Sequence, residues 1–347
     1  MNCVRFILDG ELVEIENPTP TRSVLQYLRE DLRRVGSKEG CAEGDCGACT
    51  VVVGELVHDK PELKTVNACI QFLPTLDGKA LFTVENLRQE DGSLHPVQQS
   101  MVDHNGSQCG FCTPGFIMSL WNVYNQYQST DNKPDQTEIR NALTGNLCRC
   151  TGYRPILEAA QKMFDLPIVK FDAETLREKL SEIQRTDTNK ALTYEYKNNK
   201  FFAPKNIQQL TELKAQYPKA TILAGGTDVG LWVNKQFREL NPIIYIGEVT
   251  ELKQININDG KLRIGAGASL SNAYKAISQH YPEMDEIWER FASRPIRNVG
   301  TLGGNVANGS PIGDSMPALI SLGAEVVLRN AKNSRTMLLE DLYLDYM

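Results

Sequence analysis

The chain has 347 residues, 41% of them hydrophobic, with a formal net charge of −6 and a pI near 5.5. That length predicts two or three domains. The acidic balance, without a long basic run, excludes a nucleic-acid partner, and no stretch approaches the ~18 uninterrupted apolar residues of a membrane span. The N-terminal MNCVRFILDG lacks the basic-then-apolar form of a secretory signal, so the expected compartment is cytoplasmic, where clustered cysteines more often bind metal than form disulfides.

Residues 1–82 read as a small β-rich unit. VRFIL, Asp9-Gly10 and ELVEIE predict a hairpin on a tight turn. Residues 21–32 predict a short helix with Val24, Leu25, Leu28 and Leu32 on one face. A cysteine-rich loop leads into the strand Val51-Val52-Val53, and a second hairpin brings the chain to Cys69. Residues 83–165 turn helical. Thr113 is the expected N-cap of a helix with Pro114 at its start and Ile117, Leu120, Trp121 and Tyr124 on one face. Asp135 with Glu138 resembles a capping box, Gly145 a helix stop, and a last helix begins near Pro155. Residues 166–192 read as a charged linker with one exposed helix over 173–183. Strands and helices alternate over 193–347: TILAGG, IIYIGEV, LRIGAGAS, a helix near 272–278, and AEVVLR.

Eight of the nine cysteines form two sets of four. A 2Fe–2S core has two tetrahedral irons and two bridging sulfides, which leaves four thiolate positions. Cys41-x4-Cys46-x2-Cys49, with Cys69 as the fourth, has the plant-type ferredoxin spacing, and Gly40, Gly44 and Gly47 supply the positive φ angles that turn amides toward sulfur. Zinc sites favour paired motifs, often with histidine, and none of the four histidines lies in this loop. Cys109-x2-Cys112 and Cys148-x-Cys150 form the second set. In an extended segment Cys148 and Cys150 point the same way, and on spacing alone this set fits zinc as well as a cluster. Cys3 reads as a small buried hydrophobe, and His58, His95, His104 and His280 as surface or structural. Three glycine-rich segments, 224–228, 265–267 and 300–305, lack the P-loop and Rossmann patterns. Together in one α/β domain beside redox clusters they make a dinucleotide site, such as a flavin site, the reading to test.

The segments EGCAEGDCGACTV, QCGFCTPGFIMS and GNLCRCTGYRPI resemble the iron–sulfur segments of the xanthine dehydrogenase and aldehyde oxidase family of molybdenum hydroxylases. LAGGTDVG and NVGTLGGNVANGSPIGDSMPAL resemble its FAD domain. The order of domains is similar to that of the small iron–sulfur/FAD subunit of the family's bacterial members. The resemblance implies an α+β multidomain fold: a β-grasp 2Fe–2S domain, a helical-bundle 2Fe–2S domain, and the N-terminal part of a vanillyl-alcohol-oxidase-type FAD domain. It implies that Cys41, Cys46, Cys49 and Cys69 hold the cluster nearer the flavin, and Cys109, Cys112, Cys148 and Cys150 the cluster nearer molybdenum. Gln108 matches a glutamine that touches the pterin. Ile222, Leu223, Ala224, Gly225, Gly226, Thr227, Asp228 and Val229 match the loop over the FAD pyrophosphate, and Phe291, Thr301, Gly304, Asn305 and Asp314 match further FAD-domain positions.

What the resemblance implies for function is electron transfer. Electrons from hypoxanthine or xanthine oxidation, at the molybdenum cofactor of a large partner subunit, pass through both clusters to FAD and then NAD+. The implied assembly is a heterotetramer or larger, with two copies of each subunit. No side chain here is expected to act as general acid or base. The family's flavin domain continues beyond the point matching Met347, so the rest of the pocket and the loops choosing between NAD+ and oxygen are expected outside this chain. The alternatives are the small subunit of an aldehyde or N-heterocycle hydroxylase, and a stand-alone redox-sensing ferredoxin-like protein.

Overall fold

The computed structural model describes residues 3–128, 130, 132–184 and 190–344. β1 (Cys3–Leu8) and β2 (Glu11–Glu16) pair antiparallel, closed by Asp9 and Gly10 at φ +50° and +92°, the left-handed pair that Asp-Gly supplies. α1 (Val24–Gln26), capped reciprocally by Ser23 and Gln26, runs into a π-helical turn at Tyr27–Asp31. There the Leu32 amide reaches back five residues to Tyr27, so Leu32 leaves the expected apolar face and is 37% exposed. β3 (Thr50–Val57), β4 (Lys60–Asn67) and β5 (Ala80–Phe82) complete a sheet of order β2-β1-β5-β3-β4, with β1 and β5 parallel.

This sheet is buried on both faces, which explains why β3 reads as an unbroken apolar run. Val51 and Val53 pack with Phe6, Leu28 and Phe72, while Val52 joins Ile7, Ala80 and Phe82 on the opposite side. On that side lies the helical unit of α2 (Pro96–Asp103), α3 (Thr113–Tyr127), α4 (Gln136–Ala142) and α5 (Arg154–Lys162). Trp121 and Tyr124 belong to its core. α3 starts one residue earlier than expected. Cys112 takes the N-cap position, and the Thr113 hydroxyl pairs with Ser107 at 2.7 Å. Asp135 does cap α4, accepting from the Glu138 amide at 2.7 Å.

α6 (Ala173–Ile183) differs from the exposed helix expected for the linker. Leu176, Leu180 and Ile183 form a stripe at helical spacing, buried against the Ile7 and Val52 side of the sheet. Lys179 Nζ donates to the Gly10 carbonyl at 2.6 Å, and Arg5 donates to the carbonyl of Ile183. The charge that suggested a connector lies on the outer face.

β6 (Leu192–Tyr196), β7 (Asn199–Ala203), α7 (Ile207–Gln216), β8 (Thr221–Leu223), α8 (Val229–Asn234) and β9 (Ile243–Tyr245) form the first layer of the third domain, with strand order β6-β7-β9-β8. Tyr194, Phe201, Leu223 and Ile243 share one core with Val51 and Phe72 of the first domain. The second layer holds β10 (Ile255–Asn258), β11 (Lys261–Ile264), α9 (Leu270–Ser278), α10 (Asp285–Arg290), α11 (Arg294–Val299), α12 (Leu302–Asn308), α13 (Ser315–Ser321), β12 (Glu325–Arg329) and β13 (Ser334–Leu338). Its own core centres on Tyr274 stacked on Trp288, with ring centroids 4.3 Å apart. Among the described residues no helix is long and apolar enough to cross a membrane.

Candidate redox site

The structure brings the first cysteine set together. Cys41, Cys46 and Cys49 come from the loop ahead of β3, and Cys69 follows β4; Cys49 and Cys69 are buried, 2% and 3% exposed. The Cys41 thiol hydrogen-bonds those of Cys46 and Cys69, and Cys49 bonds Cys69. The backbone amides of Asp45 and Cys46 point at Cys41 Sγ, each from 3.3 Å, and that of Glu43 from 3.5 Å. Donors from Cys46 and Cys69, then these amides, hold the Cys41 thiol far below its ordinary range. The partner thiols move the other way: Cys69 is pushed up by its bonds to Cys41 and Cys49, and Cys46 by its bond to Cys41, each with burial adding. Sulfurs packed this closely share protons when no metal replaces them. Gly44 and Gly47 take positive φ as expected, but Gly40 does not. What Gly40 provides is space, since a Cβ there would stand 2.8 Å from Cys46 Sγ. The third left-handed residue of the loop is Ala42, at φ +55°.

The second set lies at the surface. Cys109 and Cys150 are exposed, Cys112 is half-buried and Cys148 buried. The expectation that Cys148 and Cys150 share a side is corrected. The chain bends at Arg149 and Cys150, so Cys148 meets Cys112 while Cys150 meets Cys109. The Thr151 amide and hydroxyl lie 3.4 and 3.2 Å from Cys148 Sγ. Burial, then Cys148, pushes the Cys112 thiol up to about 12. Among the described residues no group of three or more His, Cys, Asp or Glu converges on a single-ion site. The first set forms a connected run of thiols, Cys46–Cys41–Cys69–Cys49, and the second two touching pairs; four thiols in each match the four ligand positions of a two-iron core. Gln108, beside Cys109, is exposed.

The two sets meet across one seam. The Leu147 amide, next to Cys148, donates to the Cys46 carbonyl at 3.0 Å. The buried Asn146 Nδ2 donates to the Gly47 carbonyl and to Thr50 Oγ1, both at 3.2 Å, and its Oδ1 accepts from Ser119 at 2.7 Å. The sequence gives no signal for Asn146 beyond its place near Cys148.

On the other side of the first set lies a cavity of about 780 Å³, in the range of cofactor pockets. Ile222, Ala224, Gly225, Gly226, Thr227, Asp228, Val229, Phe291, Thr301, Gly304 and Asn305, among the residues singled out from sequence, line it. Leu223 does not, because alternation along β8 turns it into the core, 1% exposed. Asp314 also lies off the wall, exposed at the start of α13. Ala266 of the 265–267 segment lines the cavity too, and Trp232, Leu252 and Leu270 line it unforeseen, being apolar residues on elements that give no motif. Arg297 holds the Phe291 segment by donating to the carbonyls of Trp288, Glu289 and Phe291 at 2.7, 3.0 and 3.2 Å. Burial raises the Asp228 carboxyl, opposed by Arg238.

The glycine-rich loops pack on one another. A Cβ on Gly225 would stand 1.8 Å from the Val299 carbonyl oxygen, and one on Gly303 2.4 Å from Ala266 Cβ. Their glycines are therefore needed for loop-on-loop contact, beyond any approach of a ligand. Asn305 Oδ1 is buried and finds no hydrogen-bond partner, an acceptor waiting for a donor at the cavity wall. The cavity's size, its glycine walls and this orphan acceptor fit a bound dinucleotide.

Comparison with known proteins agrees with the geometry. Residues 6–73 match a 2Fe-2S iron-sulfur cluster binding domain, residues 83–161 a second 2Fe-2S binding domain, and residues 194–347 the FAD binding domain in molybdopterin dehydrogenase. Xanthine dehydrogenase of Drosophila pseudoobscura pseudoobscura is 32% identical over 95% of this chain, and that of Emericella nidulans 33% over 94%; each alignment covers 28% of the relative. Xanthine dehydrogenase 1 of Arabidopsis thaliana is 32% identical over 100% of this chain and 30% of its own. The chain thus spans about three tenths of the length of the curated relatives it matches. Among solved structures, quinoline 2-oxidoreductase from Pseudomonas putida 86 is 27% identical, with a TM-score of 0.38, over 52% of this chain and 96% of that one. The chain belongs to the xanthine dehydrogenase family, of which it carries the iron–sulfur and FAD-binding region.

Proposed function

We propose that this chain is the electron-transfer part of an oxidoreductase of the molybdenum hydroxylase type. It carries electrons from hypoxanthine or xanthine oxidation, at a partner chain's molybdenum cofactor, to NAD+. The observation behind this reading is the order of the sites: a thiol set with Cys109 and Cys150 exposed, a more buried set behind it, and a cofactor-sized cavity abutting the inner set. Cys109, Cys112, Cys148 and Cys150 would hold the outer 2Fe–2S cluster, and Cys41, Cys46, Cys49 and Cys69 the inner one. When bound, the clusters supply one-electron chemistry and FAD converts it to two-electron hydride chemistry.

The protein's own groups hold these sites in place. The amides around Cys41 Sγ stabilise thiolate charge, and the burial of Cys49 and Cys69 keeps water from the inner set. The 224–229 loop, Thr301 and Asn305 would seat the flavin nucleotide, with Asn305 Oδ1 accepting from one of its donors. Gln108, exposed beside Cys109, is the residue proposed to meet the pterin on a large subunit, in a heterotetramer or larger assembly.

Metal and flavin analysis of the anaerobically purified chain tests the reading. It requires about four irons, about four labile sulfides and one FAD per chain. Zinc, or about half the iron, would overturn it. In the complex with its large subunit, xanthine should reduce NAD+, and Cys46→Ser should abolish that flow while leaving the subunits associated.

A further inference from the structure

Asn234 is the last residue of α8, the helix that begins where the 224–228 loop ends. Its side-chain amide donates to two backbone carbonyls of the first domain, that of Ala42 at 3.0 Å and that of Cys69 at 2.8 Å. These carbonyls belong to the two separate parts of the inner thiol set. Ala42 follows Cys41 in the loop that also carries Cys46 and Cys49, and Cys69 supplies the fourth thiol from the end of β4. Ala42 sits at φ +55°, a conformation unfavourable for a residue with a Cβ, so the surroundings must hold it there. Beside this bridge the two segments touch directly. A Cβ on Gly226 would stand 3.0 Å from the Ile70 carbonyl oxygen, and one on Gly230 2.8 Å from Ile70 Cβ. The neighbouring ion pair of Lys235 with Glu43, 3.6 Å apart and exposed, adds little.

We propose that Asn234 is a positioning residue for electron transfer. Its two hydrogen bonds tie both parts of the inner cluster's ligand set to the helix that leaves the flavin loop, fixing the cluster's seat and tuning its potential. This rests on the two-cluster reading above. Cys41, Cys46, Cys49 and Cys69 would hold the inner cluster, which when bound would supply one-electron chemistry toward a flavin in the neighbouring cavity.

The test uses Asn234→Leu, Asn234→Asp and Asn234→Gln in the full chain. Leu keeps volume without donors, Asp turns both donors into acceptors facing carbonyls, and Gln keeps the amide. Three readouts apply: iron and sulfide content, the paramagnetic-resonance signature and midpoint potential of each cluster, and the rate of substrate-driven flavin reduction in the complex. Leu and Asp should shift the signature and potential of the inner cluster only, and slow flavin reduction about tenfold, the lower end of what an outer-shell partner contributes. Gln should restore much of both. Loss of the inner cluster in Leu and Asp but not in Gln would equally uphold the seat. Wild-type signature, potential and rate in Leu and Asp would overturn the proposal, and so would equal damage in all three variants. A wild-type chain holding zinc or a single cluster would overturn the two-cluster reading itself, an outcome distinct from a variant that matches wild type.

Discussion

Replacing Gly115 by alanine should destabilise the chain, against ordinary helix preference. Gly115 lies in the first turn of α3, and Gly→Ala in an exposed helix gains about 1 kcal/mol. Here a Cβ would stand 2.1 Å from the Gly47 carbonyl oxygen and 3.3 Å from Asn146 Nδ2. That carbonyl cannot swing aside freely. It accepts from Asn146 Nδ2 at 3.2 Å, Thr50 Oγ1 at 2.7 Å and the Thr50 amide at 3.1 Å. Overpacking of this kind costs about 1–3 kcal/mol. Breaking two of the three hydrogen bonds adds about 1 kcal/mol each. Less the helix gain, the net loss is about 2–4 kcal/mol. The damage should fall on the seam that carries Cys46 on one side and Cys148 on the other. Thermal bleaching of the cluster absorption should move to lower temperature, and the magnetic interaction between the two clusters should weaken. A midpoint at or above wild type would refute the packing argument.

Three further outcomes follow from the same contacts. Gly225→Ala, with its Cβ driven into the Val299 carbonyl, should lose FAD while keeping its iron; an unchanged flavin-to-iron ratio would count against the cavity as the flavin site. Burial lowers the His95 imidazole to about 4, and its Nδ1 accepts from the Val97 amide at 3.2 Å, so the folded state favours the neutral ring. Its stability is complete above the unfolded value near 6.5 and is lost as pH falls from there toward 4, about 2 kcal/mol between pH 7 and pH 5. Urea unfolding should show that loss in the wild type and a flatter profile in His95→Asn. Lys79→Met removes the donor to Tyr245 Oη at 2.9 Å and the Thr75 carbonyl at 2.8 Å, and leaves Glu248 with one cation fewer. It should cost about 2–3 kcal/mol and loosen the contact between first and third domains, seen as faster limited proteolysis there; unchanged cleavage would sink the idea.

The grouping of the cysteines was legible because metal-ligand chemistry restricts both residue type and spacing, and each set of four does come together. What spacing could not convey was how the thiols meet, because the bend at Arg149 and Cys150 is a tertiary choice. The glycine-rich loops were legible as a site and misleading as a mechanism. Gly225 and Gly303 are required by neighbouring loops that the sequence places dozens of residues away. α6 was misjudged because its three buried residues, Leu176, Leu180 and Ile183, are diluted by seven charged or polar ones. Asn146 and Asn234 were invisible for a different reason. A single polar residue at a helix end, or before a cysteine, has no local pattern that distinguishes a domain-spanning donor from a solvated one.

One local signal did report the long-range arrangement. A two-sided polar and apolar alternation is expected of a sheet with one wet face, yet β3 begins Thr-Val-Val-Val and is buried on both sides. Val52 serves the core shared with the helical unit, while Val51 and Val53 serve the core shared with the flavin domain. The first domain is therefore held from both faces and cannot swing relative to either neighbour without opening a core. That constraint has a functional consequence. Electron transfer between sites requires fixed separations, and here the rigidity comes from the apolar run that follows Cys49 directly in the chain. The cysteine loop and the strand that locks its position are one continuous segment, residues 41–57, so the placing of these thiols and domain stacking are coupled through β3.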